Sequence, residues 1–213
     1  LRTTLADLSE LIAPKRVVLC EGARADSGAR KAEFDAQCYQ QIFEQEFPDT
    51  IFISVGASND IITGGPALRG IIKRIAQGID VITVIDRDER TEGEIADTAK
   101  KGHRVLPLRH IEHYLLDDEV LEKLCRDVGK PEVVPDVLSG KKKAVENLAV
   151  RQLALDDIKR AKGEIFNVIK DKLRASGIKF GSDADYFCRD VLAPRIVPGM
   201  KVYGELRMAI FGL

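Results

Sequence analysis

The stretch Val81–Asp88 reads VITVIDRD, an apolar run that ends in two aspartates, Asp86 and Asp88, with Arg87 between them. Side chains at i and i+2 of an extended segment leave on the same face. The two carboxylates can therefore share one ion, with Arg87 pointing the other way. Hard oxygen donors in an open, hydrated site suit Mg²⁺ or Mn²⁺. A further acid, Glu21, ends the earlier apolar run VVLCEG and offers a third oxygen or a base. Without a cation, such carboxylates repel and push one another's pKa upward. The competing reading is local: Asp86 starts a turn and Asp88 caps a helix that begins near Thr91.

These acids need a frame, and the pattern around them supplies one. KRVVLCEG, TIFISVG and IDVITVIDRD read as buried strands, and HRVLPLRHIEHYLL holds a fourth short one. Between them lie helical segments. AEFDAQCYQQIFEQEF puts Phe34, Cys38, Ile42 and Phe43 on one face; ALRGIIKRIAQG follows the turn signal ASND; TEGEIADTAKKG ends at Gly102. Four strand–helix alternations across residues 16–116 predict an α/β fold, with a parallel sheet flanked by helices on both faces. In such sheets a site lies beyond the carboxyl ends of the strands, where Glu21, Asp86 and Asp88 fall. LADLSELI predicts a linker helix over 1–14. Past residue 117 the chain is helical and charged, so 117–213 is expected to be a helical extension of a catalytic domain at 15–116.

The chain has 213 residues and a net charge of −1, with 45% hydrophobic residues and no membrane-length apolar run. Contact with nucleic acid must then use a local patch. Lys141, Lys142 and Lys143 form a run, and Lys159 and Lys162 lie on a basic helix with the apolar stripe Ile158, Ala161, Ile165, Val168, Ile169. That face suits a DNA backbone or plain solvation. The four cysteines form no CxxC pair, which argues against a zinc cluster and favours a reducing, cytoplasmic setting. His110 and His113 flank Glu112 and could ligate Zn²⁺ or Mn²⁺, but no further ligand is evident, so surface or supporting positions are expected. GGPALRG lacks the Lys-Ser/Thr of a phosphate loop and is no ATP site. A first residue Leu and a last stretch MAIFGL are expected of a fragment excised from a longer protein.

Taken in order, VVLCEG, SVGASNDI and VIDRD resemble the TOPRIM domain, shared by topoisomerases, bacterial primases and the OLD-type nucleases that accompany ABC-class ATPases. FDAQCYQQIF resembles the acid-bearing helix of the OLD-like branch, RHIEHYLLDDEVL its downstream glutamate motif, and VPGMKVYGEL its late lysine segment. The resemblance spans residues 15–120, with the lysine segment beyond. It implies a TOPRIM-like, Rossmannoid sheet and a divalent-metal-dependent DNA endonuclease or nickase, with RNA not excluded as substrate. It implies Glu21 as catalytic ligand and base, Asp86 and Asp88 as metal ligands, Asp35 and Glu112 as outer metal candidates, and Lys201 as a transition-state cation. Its implied partners are DNA, an ABC-class ATPase domain in cis or trans, and a second copy in a homodimer, with phage defence as the role. Two alternatives stay open: a primase-like nucleotidyl transferase, and a degenerate, non-catalytic sensor or dimerisation domain.

Overall fold

The computed structural model describes residues 14–24, 28, 32–75, 78–174, 177–181 and 183–213. The linker helix expected over 1–14 lies outside them, Pro14 apart. The chain divides into two compact units. One runs to Ile85 and resumes with Thr91–Val105; the other joins Asp86–Arg90 to Leu106–Leu213.

The first unit is the expected parallel sheet. Strands Arg16–Cys20 (β1), Thr50–Ser54 (β2), Asp80–Ile85 (β3) and Arg104–Val105 (β4) pair in the order β2-β1-β3-β4, all parallel. Helices Phe34–Phe43 (α1), Ser58–Ile75 (α2) and Glu92–Lys100 (α3) connect them. Strand parity assigns the two faces. Val17, Leu19 and Val81 form one, packed by Ile53 and by Leu68 and Ile72 of α2. Phe52 belongs to the other, stacked with Tyr39 and Phe43 of α1 at 5.6 and 6.0 Å between ring centroids. Burial on both faces explains why the strands read as unbroken apolar runs.

Two local readings are corrected. ASND does not end in a turn: α2 already begins at Ser58 and runs through Gly64-Gly65-Pro66. Gly65 is buried, and a Cβ there would stand only 3.6–3.7 Å from His103, Ile61 and Thr83, so packing against β3 overrides weak local propensity. The Asp60 carboxylate accepts from Ala57 N at 2.9 Å and satisfies the helix start. Asp88 is not the cap of α3. Thr91 is, in a reciprocal box in which Thr91 Oγ1 accepts from Glu94 N and Glu94 Oε2 accepts from Thr91 N.

Thr83, at the centre of β3, is fully buried. Its Oγ1 accepts from Arg69 Nη2 at 3.0 Å and lies 2.8 Å from His103 Nδ1. His103 is 2% exposed and its Nε2 has no hydrogen-bond partner. Burial holds its pKa below the ordinary 6.5, helped by the nearby charges of Arg69 and Lys101. The unfolded chain therefore takes up this proton more readily than the folded one. The associated stability is complete above about pH 6.5 and is lost as pH falls through the window below it. His103→Gln keeps a polar partner for Thr83 without that proton. Its urea midpoint is expected to fall less than that of the unaltered chain between about pH 8 and pH 5; equal falls would refute the assignment.

The second unit is helical among its described residues: Glu112–Leu115 (α4), Asp118–Asp127 (α5), Val134–Val150 (α6), Ile158–Lys172 (α7), Ala184–Phe187 (α8) and Lys201–Phe211 (α9), with short irregular turns between them. The helices α6 and α7 approach closely at Gly140, where a Cβ would meet Val168 Cγ1 at 2.4 Å, so only glycine fits. Among the described residues no helix is long and apolar enough to cross a membrane.

Candidate metal centre

The chemistry-bearing side chains collect in the helical unit, around the loop that follows β3. That loop is a turn, not the extended segment expected from i, i+2 spacing. Asp88 has φ 49°, a left-handed conformation that aspartate tolerates better than most residues. Arg90 stitches the turn together: its Nη1 donates to Asp86 O at 2.6 Å, Arg87 O at 3.3 Å and Asp88 Oδ2 at 3.2 Å. Asp88 N donates to Arg109 O at 3.1 Å. The Arg109 guanidinium spans Glu89 at 2.6 Å and Asp156 at 2.8 Å, tying the turn to the segment before α7. Arg87 Nη1 donates to Pro107 O at 3.4 Å and so serves the loop.

This bracing turns both aspartates toward His110. His110 Nδ1 lies 3.4 Å from Asp86 Oδ2 and 3.4 Å from Asp88 Oδ1. The ligand atoms of Asp86, Asp88 and His110 all fall within 4.8 Å of one another, a grouping that could hold a metal ion. Asp86 and His110 are buried and Asp88 is half-buried, so one side of the group stays open to solvent. Burial raises the Asp86 pKa and the charge of Glu112 adds to this, against the opposing pull of His110 and Lys159. A buried carboxylate held against its own ionisation fits a site that a cation completes. Burial alone would lower the His110 pKa, but Asp86 and Glu112 outweigh it and the net shift is upward.

Behind this group lies a buried ion network. Lys162 Nζ donates to Glu112 Oε1 at 2.8 Å and stands 2.5 Å from Asp185 Oδ1. Burial opposes the charge of Glu112, yet Lys162 and Lys159 win and its pKa is lowered; reciprocally, Glu112 and Asp185 raise that of Lys162. Glu112 Oε2 is buried with no hydrogen-bond partner.

The sequence-derived candidates are thus redistributed. Asp86 and Asp88 come together as expected. Glu112 is buried and claimed by Lys162. Glu21 follows β1 in the sheet unit, where Gly22 has φ 133° and exchanges backbone hydrogen bonds of 3.0 Å with Gly56; a Cβ there would strike Ser54 Oγ at 2.7 Å. Asp35 sits in the first turn of α1 in that same unit. Neither belongs to the Asp86–Asp88–His110 group. Lys201 is exposed at the start of α9, and its Nζ lies 3.4 Å from Glu205. The basic face needs correction at Lys162, which is 6% exposed and lies in the buried stripe of α7 with Ile158, Ile165, Phe166 and Ile169. Lys141 donates to Asp118 at 2.6 Å, and Lys142 lies 3.9 Å from Glu146. Lys142, Lys143 and Lys159 are exposed.

For His110 the sequence offered no further ligand; the structure brings Asp86 and Asp88 within reach of it. His113 does face elsewhere, with Nε2 2.5 Å from Asp156 O. Asp157 and Asp185 carried no signal beyond their charge. No family model, curated protein or solved structure matches the chain.

Proposed function

We propose that this chain is the divalent-metal-dependent nuclease module of an OLD-type, TOPRIM-like protein, a DNA endonuclease or nickase that works with an ABC-class ATPase in phage defence. The observation that carries the metal reading is the convergence of Asp86, Asp88 and His110. DNA as substrate, the ATPase partner and the biological role rest on the resemblance of VVLCEG, VIDRD and RHIEHYLL to that family.

Asp86 and Asp88 would hold the ion, and its position beside solvent leaves room for a phosphate. A bound Mg²⁺ or Mn²⁺ supplies Lewis-acid polarisation of the phosphate and a more acidic water. Arg90 keeps Asp88 Oδ2 occupied, so that Oδ1 is the oxygen presented beside His110. Lys159 is exposed, and its charge already acts on Asp86 and Glu112, a position from which it can steady a phosphate. The role of base falls to Glu21 on the resemblance alone.

Supercoiled plasmid should be nicked by the full chain with Mg²⁺ or Mn²⁺ and left intact with EDTA. Glu21→Gln is expected to reduce nicking by at least about 100-fold. A folded chain that binds metal but nicks neither DNA nor RNA, alone or with its ATPase, would defeat this reading. Absence of metal binding would favour the non-catalytic platform.

A further inference from the structure

His110 carries a ring nitrogen that makes no well-aligned hydrogen bond although two carboxylates face it. The residue is 6% exposed, and its Nδ1 is buried with no hydrogen-bond partner. It nevertheless points at two carboxylates, each 3.4 Å away. Ionised carboxylates only accept. Nδ1 facing two acceptors is either the N–H of an imidazolium or a lone pair aimed at an ion between them. Donors bound to one ion at about 2.1 Å stand roughly 3.0–3.4 Å apart, which both distances from Nδ1 match.

The far side of the ring points the same way. Nε2 lies 3.6 Å from Asp157 Oδ1. Asp157 stands at the N-terminal flank of α7, where an aspartate ordinarily accepts from a first-turn N–H, yet its side chain makes no capping bond. Its carboxylate instead faces His110, with Arg160 at 3.8 Å. With an ion seated between Asp86 and Asp88, the carboxylate behind the outer nitrogen would hold the proton on Nε2 and leave the Nδ1 lone pair to the metal.

We propose that His110 ligates through Nδ1 the same ion as Asp86 and Asp88, that Asp157 positions its ring, and that this imidazole makes the site select Mn²⁺ over Mg²⁺. This rests on the metal reading above but not on nuclease activity. Mg²⁺ prefers an all-oxygen octahedron and keeps its waters, whereas imidazole nitrogen suits the first-row transition ions.

The test uses the full chain stripped of metal. Calorimetric titration with MnCl₂ and MgCl₂ measures the preference, and pulsed electron paramagnetic resonance of bound Mn²⁺ detects ¹⁴N coupling from a directly bound ring. Expected are ¹⁴N coupling and Mn²⁺ affinity at least about 30-fold above Mg²⁺. In His110→Gln the coupling should vanish and the preference collapse. In Asp157→Asn the coupling should persist while Mn²⁺ affinity falls about 10–100-fold. Mn²⁺ bound without nitrogen coupling would overturn the proposal on the unaltered chain, whether or not the variants fold. Failure to bind either ion would sink it together with the nuclease reading. Nitrogen-coupled Mn²⁺ in a chain that cuts no nucleic acid would support this inference and sink only the nuclease reading.

Discussion

Asp86→Asn is expected to abolish metal-dependent nicking, a loss on the order of 10³-fold or about 4 kcal/mol of transition-state stabilisation. Asparagine is nearly isosteric but carries no charge to hold the ion. The same substitution should leave the metal-free fold as stable as before, or more so. Asp86 is buried, and its desolvation together with the charge of Glu112 opposes ionisation, so neutralising it removes an unfavourable charge. An activity collapse beside an unchanged or higher urea midpoint marks a residue kept for chemistry. Nicking within tenfold of the unaltered chain would remove Asp86 from the machinery. A large loss of metal-free stability would show that its charge is structural.

Lys162→Met should have the opposite profile, with stability as the first casualty. Lys162 fits the stripe of α7 geometrically, so methionine fills its space, but Glu112 and Asp185 are left without their cation. Glu112 is 1% exposed and already has one oxygen without a hydrogen bond. Breaking a buried pair from one side costs about 3–5 kcal/mol, because an uncompensated charge stays in the interior. Adding Glu112→Gln to Lys162→Met should recover much of the loss, since the orphaned charge goes with it. The measurement is the denaturant midpoint of both variants. A single-variant loss below about 1 kcal/mol would mean that the network is screened by solvent and contributes little.

The sheet was legible because its information is local. Apolar runs ending in Glu21-Gly22, Val55-Gly56 and Asp86 announce strands, and alternation with helices implies parallel pairing. The same locality produced the errors. ASND and Gly64-Gly65-Pro66 carry turn propensity, yet α2 runs through them because it packs against β3. Even spacing between Asp86 and Asp88 implied an extended segment, whereas Arg90 and Arg109 hold a turn that reaches the same convergence by another route.

The α/β frame and the pair Asp86–Asp88 at the end of β3 can therefore be read from the chain alone, since residue type and period act over a few neighbours. Which groups meet that pair depends on long-range packing. His110 lies 3.4 Å from each of its carboxylates, Asp157 stands behind the ring, and Lys162 is withdrawn from the basic face to neutralise Glu112 and Asp185. These partners lie up to 50 residues apart in the chain. Charge alone marked Lys162 as a solvated cation, although its position falls on the apolar stripe of α7. Its true setting depends on burying a charge only where opposite charges are waiting, and that is a property of the assembled core.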